Sequence, residues 1–366
     1  VCSSDLLSDH RVKVAPDGTF AVKFVKGEVK TGTENSKLKE EAYSLRVTPG
    51  GALITAMDTR GFYYGMKTLE QLLLRRGGTT TIAACDIVDW PDFEIRGFMN
   101  DVGRNYMPLP LIARELDSMA QLKLNVYHFH FTENPGWRLE SKIYPELNDS
   151  RNYTRMPGKF YTQKEFKQLV EYCRLRNILL IPEMDMPGHS QMFRKALNVK
   201  MSDEKATKAL VALIKELCSL VPKEKMPIIH IGTDEVRGRD EQVNNEILKE
   251  YINAVESCGR IPMRWQPGLT PKGYNGSIQQ LWSGRQNRGA WPTDGAKYVD
   301  SLETYLNHLD PFETAMTMYF RRACPFRNAE GLGMMLCSFP DLEITDPRNQ
   351  VLQTPVYAGM AFVSEP

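Results

Sequence analysis

From residue 96 onward, short apolar segments alternate with stretches of helical period, and this rhythm constrains the fold more than any other feature. Eight strand candidates can be read, at residues 96–101, 124–131, 178–185, 228–233, 261–265, 277–282, 302–306 and 333–339. Segment 178–185 is apolar throughout its first half, as a strand covered on both faces must be. Amphipathic helices fall between the strands. One begins near Pro110 with Ile112, Leu116, Met119 and Ala120 on one face. Another follows the capping box Thr162-Gln163-Lys164-Glu165, and further helices span about 203–220 and 241–257. Strands alternating with helices imply a parallel sheet, and eight units over roughly 270 residues match a (β/α)8 TIM barrel. No turn carries the G-x-G-x-x-G fingerprint of a dinucleotide-binding open sheet.

Residues 7–94 read differently. Segments 21–25 and 42–47 alternate as half-exposed strands, Pro49-Gly50-Gly51 is a turn, and 65–74 reads as a helix ended by Gly77-Gly78. A strand at 79–84 follows, and Asp89-Trp90-Pro91-Asp92 reads as a boundary. The expected organisation is α/β: a small, partial α+β domain at 7–94, then the barrel at 95–366. Val1 to Leu6 read as a translated adapter, and the chain stops inside what reads as its last helix. It is therefore expected to be a fragment.

Charge narrows the partners. Lys plus Arg number 46 against 45 Asp plus Glu, so no long-range field draws nucleic acid or an anionic membrane. No apolar run reaches the roughly 18 residues of a membrane span. The seven cysteines are scattered and odd in number, which argues against a complete disulfide framework.

Polar and aromatic residues collect at the strand ends. Asp101 and Arg104 follow the first strand; His128, His130 and Glu133 the second; Glu183, Asp185 and His189 the third. Asp234 and Glu235 follow the fourth, Trp265 and Trp282 close the fifth and sixth, and Tyr305 closes the seventh. Barrels of this kind build their sites at the C-terminal ends of their strands, so these groups are expected to share one cavity.

Four segments, in order, carry a resemblance. They are Arg96-Gly97-Phe98-Met99-Asn100-Asp101-Val102-Gly103-Arg104; His128-Phe129-His130-Phe131-Thr132-Glu133-Asn134 with Gly136-Trp137-Arg138; Pro182-Glu183-Met184-Asp185-Met186-Pro187-Gly188-His189-Ser190; and His230-Ile231-Gly232-Thr233-Asp234-Glu235-Val236. Together they resemble the β-N-acetylhexosaminidases of glycoside hydrolase family 20. The resemblance implies a retaining, exo-acting enzyme that removes terminal β-linked GlcNAc or GalNAc from a glycan without a cofactor or metal. The substrate's own acetamido oxygen would act as nucleophile and form an oxazolinium ion. Glu235 would be the general acid and base, and Asp234 would hold the acetamido N–H and the developing charge.

The resemblance further assigns sugar binding to Arg104, Glu133, His189, Trp265, Trp282, Tyr305, Asn307 and Asp341, with Asp185 and His130 in support. It also implies a secreted, periplasmic or lysosomal setting. Two positions depart from the family pattern. Glu133-Asn134 stands where an aspartate pair is usual, and Phe339-Pro340-Asp341 stands where a Trp-x-Glu element is common. The second departure leaves the choice between gluco and galacto sugars open. Two other readings remain at this point: a non-catalytic glycan-binding barrel, and a metal-dependent hydrolase built on the His128-x-His130 pair.

Overall fold

A computed structural model describes residues 19–236, 241–269, 274, 276–283, 291–306, 311–353 and 355–364. The chain divides into two compact units, the first formed by residues up to Glu94 together with Leu175–Asn177, the second by Ile95–Arg174 and the residues from Ile178 onward.

In the first unit, strands β1 (Ala21–Lys26), β2 (Tyr43–Thr48), β3 (Gly51–Ala56) and β6 (Cys85–Asp89) form a sheet in the order β1-β3-β2-β6. Helix α1 (Ser36–Glu41) precedes β2, and α2 (Thr59–Gln71) follows β3. Helix α2 begins earlier than the apolar spacing alone indicates, because Asp58 caps it by accepting from the Arg60 amide at 3.0 Å. It lies close to the sheet: a Cβ on Gly61 would sit 2.3 Å from the Ala42 carbonyl oxygen, and one on Gly65 2.6 Å from Ile54 Cγ2. Gly77 and Gly78 do not end this helix. Both have positive φ and form the turn between β4 (Leu74–Arg76) and β5 (Thr79–Thr81).

The second unit is a closed eight-stranded parallel barrel. Its strands are β7 (Ile95–Asp101), β8 (Val126–His130), β11 (Leu179–Glu183), β12 (Ile228–His230), β13 (Ile261–Gln266), β14 (Ile278–Leu281), β15 (Lys297–Asp300) and β16 (Glu330–Ser338). Pairing of β16 with β7 closes the ring. A short hairpin, β9 (Thr132–Glu133) with β10 (Gly136–Trp137), leaves the end of β8. Among the helices, α3 (Leu109–Gln121) follows β7 and α4 (Gln163–Arg174) precedes β11. The capping box forms as the sequence predicts: the Thr162 amide donates to Glu165 at 2.7 Å, and the Glu165 amide to Thr162 Oγ1 at 3.1 Å.

The barrel interior is filled by Met99, Val126, Ile181, Met263, Val299 and Met335, all buried, with Trp265 and Cys337 in the same cluster. The seventh strand corrects the sequence reading. It is 297–300 rather than 302–306, and a turn with positive φ at Glu303 separates the two segments. Both are short and partly apolar, so periodicity alone does not choose between them.

Outside the barrel lies a buried polar chain. Asn100 donates to Glu115 Oε2 on α3 at 2.7 Å, and Gln350 donates to Asn100 at 2.9 Å. Burial pushes the Glu115 carboxyl up to about 8, with the Asn100 bond pulling weakly the other way. Below the ordinary glutamate range, folded and unfolded chains both hold this proton and the group costs nothing. As pH rises toward 8, only the unfolded chain releases it, so stability falls. Glu115→Gln should therefore stabilise the protein relative to the parent at pH 8 by roughly 4 kcal/mol. The gain should be much smaller at pH 5. Urea unfolding at the two pH values checks this, and an equal difference at both would refute it.

Candidate active site

The strand ends of the barrel enclose a cavity of about 220 Å³. Among the described residues its lining includes eleven that the sequence singles out: Arg104, His130, Glu133, Asp185, His189, Asp234, Glu235, Trp265, Trp282, Tyr305 and Asp341. Asn307 lies outside the described residues. Phe339 also lines the cavity, although the sequence reading picked only Asp341 from that loop. Its signals in the sequence are its place at the end of the last strand and at the aromatic position of the Trp-x-Glu element.

The centre is the consecutive pair Asp234 and Glu235, just beyond β12. In an extended strand, neighbours point to opposite faces. Here the chain leaves that geometry, with positive φ at Gly232 (69°), Thr233 (91°) and Glu235 (47°). Both carboxylates consequently face His189 Nε2, Asp234 Oδ2 at 3.7 Å and Glu235 Oε2 at 3.3 Å. The glycine is obligatory, since a Cβ at position 232 would fall 1.7 Å from Asp185 Oδ1. Asp234 Oδ1 is buried and has no hydrogen-bond partner among the described residues.

Burial pushes Asp234 above the usual aspartate range. The nearby His189 opposes that push and Glu183 adds to it. Asp185 is driven well above its ordinary value, by burial first and by Asp234 second. Its amide donates to Thr132 Oγ1 at 2.9 Å, and its Oδ1 accepts from the Thr233 amide at 3.3 Å. These bonds fix the loop that carries the pair.

His189 is the positive partner. Burial works against its imidazolium, but Asp185, Glu133 and Asp234 outweigh it and push its pKa up to about 11. Its Nδ1 lies 2.5 Å from Glu133 Oε1. That same oxygen is 2.8 Å from Arg104 Nη2, and Glu133 Oε2 accepts from the Asn134 amide. Burial raises the Glu133 carboxyl, but His189 and Arg104 win and hold it below the usual range. The longer side chain at 133 thus ties two cations together at the cavity edge.

Arg104 is fixed by its own local turn. Asp101 at the end of β7 accepts from the Arg104 amide at 2.9 Å and from Nη1 at 2.6 Å. Burial opposes the guanidinium, but Asp101 and Glu133 hold it firmly charged. Its Nε approaches Asp341 Oδ1 at 3.7 Å.

Aromatic groups form the opposite wall. Trp282 is pinned by its indole N–H donating to the Pro267 carbonyl at 2.7 Å, and Trp265 by donating to Glu183 Oε1 at 2.7 Å. Tyr305 stacks on Phe339 at 5.3 Å between ring centroids, and Arg104 sits over the same ring at 5.2 Å. Tyr305 reaches this wall from the segment after β15, through a bridge to Cys337 on β16. Burial drives its hydroxyl well above the usual tyrosine range, so it stays a donor.

Three groups of His, Asp and Glu lie close enough together to hold a cation: His128 with Glu183 and His230; His130 with Glu133 and Asp185; and Asp185 with His189 and Asp234. The chemistry of the donors fits hydrogen bonding better. His128 Nε2 and His130 Nδ1 both turn to Glu183 Oε2, at 2.8 and 2.5 Å, so the carboxylate oxygen itself takes the place a cation would need between them. Burial disfavours the His130 imidazolium, but Glu183 and Asp101 push it up to about 9. An imidazolium has no lone pair to offer a metal.

Relatives agree with this geometry. Residues 93–203 match the model for the catalytic domain of glycosyl hydrolase family 20, and residues 4–90 match domain 2 of the same family. A beta-hexosaminidase from Porphyromonas gingivalis is 39% identical over 166 residues, covering 42% of this chain and 21% of that protein. One from Vibrio furnissii is 32% identical over 238 residues, covering 55% and 38%. The matched stretches span well under half of those curated relatives.

Among solved structures, the exo-β-N-acetylglucosaminidase of Vibrio harveyi superposes with a TM-score of 0.80 at 20% identity, covering 99% of this chain and 67% of that one. The β-hexosaminidase of Streptomyces plicatus gives 0.81 at 21%, covering 99% and 82%. Among the described residues no helix is long and apolar enough to cross a membrane. With both family models matched in order, and a closed barrel presenting the motif residues in one cavity, the chain belongs to glycosyl hydrolase family 20.

Proposed function

We propose that the protein is a retaining, exo-acting β-N-acetylhexosaminidase that hydrolyses terminal β-linked GlcNAc or GalNAc with the help of the substrate's acetamido group. The observation that carries this reading is the pair Asp234 and Glu235, two consecutive carboxylates turned toward one imidazolium in an aromatic-walled cavity. Relatives named beta-hexosaminidase support it.

The chemistry divides between the two acids. Glu235 gives its proton to the departing glycosidic oxygen as the acetamido carbonyl oxygen attacks the anomeric carbon. The positive oxazolinium ring forms beside Asp234, whose unpartnered Oδ1 is suited to accept the acetamido N–H. Tyr305, kept as a phenol, can donate to the attacking carbonyl oxygen. Trp265 and Trp282 wall the methyl group and exclude water. Glu235 then takes a proton from the water that opens the ring, and two inversions give net retention. Arg104, backed by Asp101 and Glu133, offers N–H groups to sugar hydroxyls and closes the pocket, which fits a terminal sugar. Asp341 lies on the same side and fits the 4- and 6-hydroxyls. We assign the polypeptide as an N-terminal domain at 7–94 and a catalytic barrel from residue 95, with a glycan as the partner.

The test compares two aryl β-glycosides that differ only in the 2-acetamido group. Intramolecular attack is worth an effective molarity of 10⁵ M or more, so the sugar lacking the amide should react at least about 10⁴-fold more slowly. Comparable turnover of both would overturn the proposal. Binding of N-acetylglucosamine without hydrolysis of either glycoside would favour a glycan-binding barrel instead.

A further inference from the structure

At the cavity wall, buried polar residues from four strands stand in series, joined by hydrogen bonds from Trp265 to His130 and by a longer charge–charge approach from His130 to Asp101. Trp265 on β13 donates its indole N–H to Glu183 Oε1 on β11 at 2.7 Å. Glu183 Oε2 bonds His130 Nδ1 on β8 at 2.5 Å. His130 Nε2 faces Asp101 Oδ1 on β7 at 4.0 Å, and Asp101 holds Arg104 at 2.6 Å. Trp265, Glu183, His130 and Asp101 are each at most 1% exposed. Negative and positive groups alternate from Glu183 to Arg104, and both ends of the series, Trp265 and Arg104, line the cavity. One end is the aromatic wall; the other is the guanidinium that meets sugar hydroxyls.

We infer that Glu183 is a positioning residue: without touching the sugar, its carboxylate locks Trp265 against the acetamido group and, through His130 and Asp101, sets Arg104. A carboxylate in a barrel core is costly unless its oxygens are bonded. Here each oxygen is bonded to a group that itself lines the cavity. His128 and His230, also against Glu183 at 2.8 and 3.0 Å, do not line it, and their rings pack together with centroids 4.6 Å apart. Glutamine at position 183 would keep the volume. Its amide could accept from only one of the two donors and would turn N–H against the other. Both walls would loosen while the fold kept its packing.

The inference rests on the hydrolase reading but is tested separately from it. In the full chain, Glu183→Gln should cut kcat for an aryl N-acetylglucosaminide by about 10- to 100-fold, as expected for a small misplacement of binding groups, with KM changed far less. The Trp265 indole N–H, one of five such resonances, should move upfield when its carboxylate partner is lost. Trp265→Phe removes the same bond from the other side. The double variant should therefore lose less than the product of the two single losses.

Additive losses, or a folded Glu183→Gln chain with unchanged kcat and an unmoved indole signal, would overturn the inference. Should Glu183→Gln fail to fold, His130→Gln breaks the next link, and unchanged KM and kcat there would overturn it equally. If the parent chain cleaved no N-acetylhexosaminide, the hydrolase reading would fall. The indole shift and the affinity for N-acetylglucosamine would then decide the inference by themselves.

Discussion

Glu235→Gln should lower kcat toward a phenyl N-acetylglucosaminide by about 10³-fold, within the range of lost general acid catalysis, while KM changes little. Phenoxide is a poor leaving group and needs a proton as the bond breaks. Glutamine fills the same space and cannot supply one. The side chain is 43% exposed at the cavity mouth, 3.3 Å from His189, so the substitution disturbs no core packing. The diagnostic lies in the leaving group. A dinitrophenyl glycoside departs without protonation, so ring formation on that substrate should slow much less. Equal losses on both substrates would show that Glu235 does not protonate the leaving oxygen.

The sequence predicts the barrel because its strands and helices have separate periods, and a parallel sheet leaves few ways to arrange them. The cavity follows from the same rhythm. His130, Asp185, Asp234, Trp265 and Trp282 all lie at or just past strand ends, where barrel geometry gathers side chains. What the sequence hides is local. The apolar residues at 302–306 mimic the strand that 297–300 forms, and a positive φ at Glu303 separates them. The cap at Asp58 outweighs the apolar spacing that starts α2 later. Phe339 carries no charge and departs from the Trp-x-Glu pattern, yet it stacks on Tyr305 and lies under Arg104.

Glu133 shows the limit most clearly. Its place after the second strand marks it for the site, but only coordinates reveal that one of its oxygens meets both His189 and Arg104. The Glu183 chain is hidden in the same way. Its members are scattered over three of the motif segments and the fifth strand, and their contacts run between strands rather than along the sequence.

Asp234→Asn should lower kcat by about 10²- to 10³-fold, the usual cost of removing one preorganised electrostatic group. The amide keeps the shape and can still accept the acetamido N–H through its oxygen. It loses the negative charge that opposes the oxazolinium. Burial already makes that charge expensive and holds the Asp234 carboxyl above the ordinary aspartate range, despite His189 at 3.7 Å. The consequence for pH has a definite sign. The proposed mechanism needs Asp234 ionised in the free enzyme, so kcat/KM should rise with pH through its raised pKa, giving an acidic limb above the ordinary aspartate range.

Glu133 cannot produce that limb, because its carboxyl is held below the usual range. Asp185 is also driven above its ordinary value, by burial first and by Asp234 second, and the same profile measured on Asp185→Asn separates its titration from that of Asp234. In Asp234→Asn the limb should therefore disappear from the residual activity, leaving a flat profile at low pH. A bell-shaped profile unchanged by the substitution, or a loss of only a few fold in kcat, would mean that the charge beside the acetamido group comes from another residue. Asp185 would then be the next to replace, since it is the carboxylate closest in environment to Asp234 in the same cavity.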